Sequence, residues 1–220
     1  LLSDSNGDLI NLYRTLQSEG DEFIDYCEQL FRPRNNQEKA YYRLREEFNR
    51  CEDPRRRSAL FIYLNRHGYN GLCRYNSKGG FNVPFGRYKN PYFPADEMAA
   101  FHEHAQRAVF EHADYASIMR KTRPGDVVYC DPPYVPLSAS ANFTSYAAGG
   151  FNLEQQQELV DVARATAARG VPVLISNHNT PFTKEAYRDA SITRFRVQRY
   201  ISCNGTKRNK AGELLALFTK

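Results

Sequence analysis

From Asp96 onward, short apolar segments alternate with amphipathic helices, and this alternation constrains the fold more than any other feature of the sequence. Apolar strands in such an arrangement predict a parallel sheet covered by helices on both faces. Apolar spacing and stop signals such as Gly170 locate the elements along the chain. The predicted helices cover residues 96–106, 114–121, 153–168 and 182–189, and the predicted strands cover 108–111, 126–130, 171–176, 192–199 and 213–218.

The first third of the chain has the pattern of a helical region instead. Apolar residues within 9–16 lie at helical intervals, and Asn6 or Asp8 can cap that helix. The pair Asp53-Pro54 places a capping residue before a proline at the first helical position. Further helices are predicted around residues 23–31, 41–48 and 54–65.

Composition limits the class of protein. The 220 residues, 41% of them apolar and 13% aromatic, suit one ordinary domain or a core domain with a smaller insertion, and argue against wholesale disorder. The apolar runs are too short to span a bilayer, and the first residues lack a basic-then-apolar pattern, so no secretory signal is expected from this sequence. The five cysteines form no C-x-x-C pair and leave an odd one over, which predicts reduced thiols in the cytoplasm.

Positive charge is concentrated in one part of the sequence. Between Arg50 and Lys89 there are nine Lys or Arg and two acids, a net charge of +7, whereas the other residues hold 21 basic and 23 acidic groups, a net charge of −2. Such a block is either a solvated helix face or a surface that binds a polyanion. Residues 69–93 are too aromatic for a mere linker, and a hairpin turn is predicted at residues 77–80.

The predicted strand 126–130 runs directly into the tetrapeptide Asp131-Pro132-Pro133-Tyr134. Ligands of open α/β sheets bind at the carboxyl ends of strands. The prolines stiffen the backbone and leave carbonyl acceptors, while Asp131 adds a carboxylate and Tyr134 a flat ring. This combination suits an exocyclic amine on a planar base, whose nitrogen becomes nucleophilic when its hydrogens are accepted. The alternative is an ordinary strand-end turn in which Asp131 acts as a cap.

The tetrapeptide resembles the catalytic motif of adenine-N6 DNA methyltransferases. The chain resembles in particular the Dam type, whose members methylate adenine in GATC. The resemblance implies a Rossmann-like, S-adenosylmethionine-dependent methyltransferase sheet of the α/β class with an inserted helical target-recognition domain bearing a β-hairpin. It runs in order through YRLREEFN (42–49), LFIYLNRHGYNGLCRYN (60–76), FNVPFGRYKNPYFP (81–94), VVYCDPPYVPLSASANFTSY (127–146), LISNHNT (174–180) and ELLAL (213–217).

The same resemblance implies a domain organisation and a way of reading DNA. The catalytic domain would comprise residues 1–6 and 95–220, and the recognition domain residues 7–94, with the hairpin at about 69–89. Arg74 would read a guanine, because its guanidinium fork matches O6 and N7 in the major groove. Leu72 and Pro84 would contact bases, and Tyr69 and Asn70 would fill the stack that the target adenine leaves, although Tyr69, Leu72 and Pro84 are also typical of hairpin packing. The implied phosphate contacts are Arg45, Asn76, Asn82, Arg87, Tyr88 and Lys89.

The implied cofactor is S-adenosylmethionine. Asp4 matches an acidic residue that binds the ribose hydroxyls, although a helix cap is the alternative. Asp114 and Tyr115 match positions that line the cofactor adenine, and Asp131, catalytic together with Pro132 and Tyr134, would also face the methionine end. The family's first strand and its F-x-G-x-G loop find no match. The 220 residues are therefore expected to be a fragment that alone binds the cofactor poorly.

Three functions stay open at this point. The first is a site-specific adenine-N6 DNA methyltransferase that flips its base out of double-stranded DNA and acts as a monomer, without a metal or a covalent intermediate. The second is a DNA-binding fragment or inactive relative, and the third is a protein-glutamine methyltransferase, which has no need of a guanine-reading arginine. The resemblance implies a bacterial or phage protein that is cytoplasmic and associated with the nucleoid. The roles that it implies are DNA replication, mismatch repair, restriction-modification or phage defence.

The histidines carry little weight. His102, His104 and His112 lack the carboxylate or cysteine that would complete a metal set, so they predict a solvated face. His178 ends a predicted strand and is a candidate to line the active cleft.

Overall fold

The computed structural model describes residues 1–137, 151–198 and 210–220. The chain divides into two compact units. Of the described residues, 1–114 form the N-terminal unit and the remainder form the C-terminal unit. Each unit has a hydrophobic core of its own.

Helices dominate the N-terminal unit, and α4 lies at its centre. Residues 58–64 of this helix are all buried, because the other helices pack around it. Asn6 caps α1 and Asp53 caps α4, which confirms two of the predicted start signals. The elements are β1 (Leu2–Asp4), α1 (Gly7–Glu19), α2 (Asp21–Glu28), α3 (Glu38–Arg50), α4 (Pro54–His67), α5 (Ala95–Ala105) and β2 (Phe110–His112). The two strands pair in parallel, with Leu2 opposite Phe110.

The C-terminal unit is a four-stranded sheet with helices. Its strands lie in the order β3-β4-β6-β5. The helix α7 packs against the sheet through Leu159, Val160 and Ala163, which are buried in the same core as Val173 and Ile175 of β4. The elements are α6 (Tyr115–Lys121), β3 (Val128–Cys130), α7 (Leu153–Ala168), β4 (Val173–His178), α8 (Pro181–Ala186), β5 (Ser191–Gln198) and β6 (Lys210–Phe218).

The prediction of a parallel sheet holds for β3 and β4 and is wrong for the last two strands of this unit. Strands β3 and β4 are parallel, but β6 runs antiparallel to both β4 and β5. Only the 11 residues 199–209 separate β5 from β6. Parallel neighbours need a crossover connection of a dozen or more residues. A connection this short therefore favours antiparallel neighbours. The fold is therefore a mixed α/β arrangement.

Element boundaries follow the sequence signals closely in some places and not in others. The helix predicted over 153–168 is confirmed at both ends, where Asn152 and Gln155 form a capping box. The strand predicted over 108–111 lies at 110–112, and the last predicted helix, 182–189, ends at Ala186. Residue 199 and Cys203 lie outside the described residues, and the four described cysteines are free thiols. Within the described ranges, no helix combines the length and the apolar character needed to cross a bilayer.

Candidate functional site

The loop 131–135 leaves the end of β3 and lies beside the end of β4. Because Cys130 is in register with Ile175, the next residue of β4, Ser176, comes alongside Asp131. The Ser176 hydroxyl donates to Asp131 Oδ1 at 2.8 Å and accepts from the Tyr129 hydroxyl at 3.1 Å. Ser176 is buried, whereas Asp131 is exposed. The buried Ser176 hydroxyl thus holds one carboxylate oxygen of Asp131 in place, while Asp131 itself is exposed to solvent.

A buried polar network supports the same loop. Asn177, Gln156 and Tyr187 are each 0% exposed. Asn177 Oδ1 accepts from the Val135 amide at 2.9 Å, and its Nδ2 donates to Gln156 Oε1 at 3.1 Å and to the Tyr187 hydroxyl at 2.9 Å. Gln156 Nε2 in turn donates to the Pro133 carbonyl at 2.6 Å. Buried polar groups are costly unless bonded, so a network satisfied in this way fixes a single loop geometry.

His178 and Tyr134 complete the loop's surroundings. His178 Nδ1 donates to the Val135 carbonyl at 2.6 Å, and its ring meets the Tyr134 ring edge-on at a centroid distance of 4.9 Å. Burial is the largest cause that raises the pKa of Tyr134, so its phenol is neutral at physiological pH. The aromatic face is therefore an uncharged surface beside the Asp131 carboxylate.

The loop leaves two hydrogen-bond acceptors close together in sequence. Gln156 occupies the Pro133 carbonyl, but among the described residues no hydrogen bond reaches the Pro132 carbonyl. The Asp131 carboxylate and the Pro132 carbonyl can accept the two hydrogens of one amine. An amine so bound keeps its lone pair available for attack on an electrophile.

The segment 68–86 of the N-terminal unit forms a hairpin with irregular arms. Two isolated antiparallel bridges join them, Gly68 with Phe85 and Tyr75 with Phe81. The turn at 77–79 confirms the predicted position, and Asn76 Oδ1 closes it by accepting from the amides of residues 78 and 80 at 2.9 and 3.0 Å. One arm begins with the 3₁₀ turn 69–71.

The exposed Arg74 is oriented by its neighbour across the hairpin. Its Nε donates to Asn82 Oδ1 at 2.7 Å, and its Nη2 lies 3.3 Å from the Asn82 carbonyl. Arg74 Nη1 makes no hydrogen bond to any residue that the structure describes. Asn82, predicted as a phosphate contact, thus has a positioning contact to the predicted guanine reader.

The remaining predicted base contacts lie around the same turn. Tyr69 is 51% exposed, and Asn70 adopts the left-handed region with φ 54°, which is uncommon for a residue other than glycine. The Asn70 amide donates to the Tyr88 hydroxyl at 2.9 Å. Leu72 packs partly against the core, whereas Pro84 is exposed and its carbonyl accepts from the Tyr69 amide at 2.9 Å.

The predicted phosphate contacts around residue 87 are held by residues 36–38. Asn36 Nδ2 donates to the carbonyls of Tyr88 and Lys89 at 2.8 and 3.0 Å, and Arg87 lies 3.2 Å from the Glu38 carboxylate. Arg87 has φ 56°. Arg45 Nη1, from α3, donates to the Val83 carbonyl at 3.0 Å, so part of this predicted contact supports the hairpin.

More than half of the cations in the basic block are paired with acids inside the N-terminal unit. Of its nine cations, five form ion pairs with acids that precede residue 50 in the sequence. The other four cations are Arg66, Arg74, Lys78 and Lys89, all in or beside the hairpin. The pairs are Arg50–Glu46, Arg55–Glu19, Arg56–Glu47, Arg57–Asp8 and Arg87–Glu38.

The predicted cofactor residues divide between the two units. Asp4 ends β1, where its Oδ1 accepts from the Asn6 amide at 2.6 Å, and it is not the cap of α1. The Ala113 amide donates to the Asp4 carbonyl at 3.2 Å, so Asp114 follows at the same end of the parallel pair. Tyr115 begins α6 in the C-terminal unit, where its ring meets Phe151 at 6.0 Å.

The histidines of the N-terminal unit make structural contacts. His102 Nδ1 donates to the Leu16 carbonyl at 2.9 Å, His104 to Ala100 at 2.7 Å, and His112 Nε2 to Ser5 at 3.1 Å. In the described ranges 1–137, 151–198 and 210–220, no group of three or more His, Cys, Asp or Glu side chains could hold a metal ion.

Sequence reasoning did not single out the residues that position the candidate ones. Ser176 and Asn177 stand in a polar run that ends an apolar strand, which is a usable signal. Gln156 lies in the run EQQQE, which reads as a solvated helix face although Gln156 itself is fully buried. Asp8 was noted only as a possible helix cap. Its contacts to Arg57 and Tyr75 gave no local signal, because these residues lie 49 and 67 positions away from it in the sequence.

Comparison with known proteins identifies the family. A family model described as D12 class N6 adenine-specific DNA methyltransferase matches residues 1–201. Proteins named DNA adenine methylase are 53% identical in Salmonella typhi and 52% identical in Escherichia coli (strain K12), in each case over 99% of this chain and 78% of that protein. A Vibrio cholerae serotype O1 relative of the same name is 52% identical over 100% of this chain and 79% of its own length. The chain therefore belongs to the D12 class of N6 adenine-specific DNA methyltransferases.

Proposed function

We propose that this adenine-specific DNA methyltransferase acts on N6 of adenine within GATC in double-stranded DNA, after turning the base out of the helix. The observation that carries the proposal is the acceptor pair at the end of β3, where Ser176 holds one Asp131 oxygen and the Pro132 carbonyl accepts no hydrogen bond among the described residues. N6 is paired and stacked inside a duplex, so the loop can reach it only in a flipped base.

The chemistry follows from what these groups can hold. The Asp131 carboxylate and the Pro132 carbonyl accept the two N6 hydrogens, which localises the nitrogen lone pair for attack. Tyr134 stacks on the adenine, and the network of Asn177, Gln156 and Tyr187 keeps the acceptors in one geometry.

The methyl donor proposed is S-adenosylmethionine, which when bound supplies an electrophilic methyl group. The chemistry of the residues fits this cofactor, because Asp4 and the segment leading to Asp114 bring acidic residues to the carboxyl ends of two parallel strands. A carboxylate in this position accepts from ribose hydroxyls. Tyr115 would line the adenine of the cofactor, and Asp131 would face its methionine end.

Target recognition is proposed for residues 7–94, inserted in a catalytic domain of residues 1–6 and 95–220. Arg74 is exposed and its Nη1 makes no hydrogen bond to a described residue, so its guanidinium suits guanine O6 and N7. The exposed Tyr69 and the left-handed Asn70 suit the space left by the flipped base. The remaining contacts would be Leu72 and Pro84 to bases, and Arg45, Asn76, Asn82, Arg87, Tyr88 and Lys89 to phosphates.

The test compares two aspartates at opposite ends of one strand region. Asp131→Asn removes the carboxylate charge with little change in shape, and methyl transfer to a GATC duplex is expected to fall by about 10²-fold or more. Asp126→Asn is the control, because among the described residues the Asp126 side chain accepts one hydrogen bond, from the Arg123 amide in the turn before β3. DNA affinity should stay unchanged in both variants, and near-normal transfer by Asp131→Asn would contradict the assignment.

A further inference from the structure

We infer that Asp8 is a positioning residue for base reading: its carboxylate, held by Arg57, fixes the hairpin arm that carries Arg74 through the hydroxyl of Tyr75. The inference rests on the proposed role of Arg74 in reading guanine. It adds a support that lies outside the hairpin, at the first turn of α1, where Asp8 contacts Arg57 and Tyr75 of the basic block.

Arg57 binds both carboxylate oxygens of Asp8 through one edge of its guanidinium. Arg57 Nε lies 2.5 Å from Asp8 Oδ1, and its Nη2 lies 3.0 Å from Oδ2. The side chains are only 23% and 14% exposed. A bidentate, partly buried arginine–carboxylate pair is geometrically specific, unlike an exposed single contact.

The rest of the Arg57 guanidinium is also occupied. Its Nη1 donates to the Phe48 carbonyl at 2.7 Å and to the Cys51 carbonyl at 3.2 Å, and its carbon lies 4.2 Å above the Phe48 ring. These carbonyls end α3, where a cation is favoured by the helix dipole. Arg57 therefore links α4 to α3 and α1. It does not extend into solvent, and it holds the Asp8 carboxylate in one orientation.

The second oxygen of Asp8 reaches the hairpin. The Tyr75 hydroxyl donates to Oδ2 at 2.7 Å, and the Tyr75 ring packs edge-on against Phe81 of the other arm at 5.7 Å. Next to it, Cys73 Sγ accepts from Asn6 Nδ2 at 3.7 Å, a second contact to the start of α1. The arm is thus attached to α1 at residues 73 and 75.

Arg74 stands between these two attached residues and is exposed, whereas Cys73 and Tyr75 are partly buried. Successive side chains of an extended arm point to opposite faces, so fixing residues 73 and 75 inward directs residue 74 outward. The Arg74 carbonyl also accepts from the Asn82 amide at 3.0 Å, which holds the other arm in register. Loss of the Tyr75 anchor should leave Arg74 present but less well aimed.

The main variant is Tyr75→Phe, which keeps the ring on Phe81 and removes the hydroxyl. Tyr63→Phe is the matched control, because the buried Tyr63 hydroxyl donates to the Asn35 carbonyl at 2.7 Å, away from the arm. The measured quantity is kcat/KM on a GATC duplex divided by kcat/KM on a duplex with one guanine pair changed. A bidentate guanine contact contributes roughly 5- to 150-fold to this ratio, and we expect Tyr75→Phe to lower it about tenfold.

Tyr75→Phe should change kcat on GATC less than about twofold, and Tyr63→Phe should leave the discrimination ratio unchanged, although each variant loses one hydrogen bond. Asp8→Asn should lower the ratio in the same way, and adding it to Tyr75→Phe should cause little further loss, since both act on one contact. If Asp8→Asn does not fold, Tyr75→Phe decides alone.

Arg74→Ala separates the two proposals. Failure of Arg74→Ala to lower the ratio would refute guanine reading itself. A lowered ratio in Arg74→Ala together with a wild-type ratio in Tyr75→Phe, or equal losses in Tyr75→Phe and Tyr63→Phe, would overturn the positioning role of Asp8 and leave the reading role intact.

Discussion

Replacing Gln156 with Met tests whether the buried network sets the geometry of the reacting loop. Methionine has a similar length and volume but cannot donate to the Pro133 carbonyl or accept from Asn177, so packing is nearly kept and two hydrogen bonds are lost. The site is fully buried. The change therefore separates hydrogen bonding from cavity formation.

The expected loss of stability follows from the two partners left behind. One hydrogen of Asn177 Nδ2 keeps the Tyr187 hydroxyl, while the other becomes an unsatisfied buried donor, which costs about 1–3 kcal/mol. Pro133 is exposed, so water can replace the bond to its carbonyl at little further cost. We expect the free energy of unfolding to fall by about 2 kcal/mol, a decrease in Tm of roughly 4–8 °C.

The effect on rate should exceed the effect on stability. A displacement of about 1 Å in a reacting group can cost about 10²-fold, and Gln156 holds a carbonyl one residue from the proposed acceptor Pro132. Single-turnover methylation of a GATC duplex, measured at a temperature where the variant is fully folded, should therefore fall by about 10- to 100-fold with DNA affinity unchanged. A variant that loses the expected stability but methylates at the wild-type rate would refute the positioning role of the network.

Three further predictions concern other parts of the molecule. Arg74→Ala should reduce the preference at one base pair by about 1–3 kcal/mol. Lys89→Ala should instead lower the affinity for all duplexes alike and make the slope of the salt dependence smaller by about one unit. If both variants lost affinity equally for every sequence, Arg74 would be reassigned to phosphate contact. Thr166→Val should stabilise the protein by about 1 kcal/mol in denaturant titration, because the buried Thr166 hydroxyl has no hydrogen-bond partner among the described residues; destabilisation would show that it has one. Burial lowers the pKa of His67 to about 4 from its ordinary 6.5, so the unfolded chain binds the proton at a higher pH than the folded protein. The free energy of unfolding should therefore fall by up to about 3 kcal/mol as the pH drops from 6.5 towards 4. His67→Phe should flatten that pH dependence, and an unchanged slope would contradict it.

Local signals were enough to place several elements. Asp53-Pro54 starts α4, and α7 occupies the predicted residues 153–168, because caps and apolar periodicity act within a few positions. The turn at 77–79 likewise follows from its glycines and Asn76. Sheet direction did not follow in the same way, since the antiparallel placement of β6 depends on the short connection from β5 and on pairing between distant segments.

Charge and burial were harder to infer than structure. Arg55, Arg56 and Arg57 form one basic run in the sequence, yet each meets an acid from another helix. Gln156 lies in a polar run and is fully buried, because its partners come from β4 and the loop after β3. Such pairings depend on the tertiary fold, so the sequence could nominate Asp131 and Arg74 but could not identify what holds them.

The most direct test of the central claim is the identity and position of the methylated base. Duplexes that contain GATC, or the permuted site GTAC in the same flanks, are incubated with the enzyme and methyl-labelled S-adenosylmethionine, and the nucleosides are separated by chromatography and mass spectrometry. We expect label in N6-methyladenine from the GATC duplex alone, and its near-complete loss with Asp131→Asn. Label in cytosine, equal label in GTAC, or undiminished label with Asp131→Asn would contradict it.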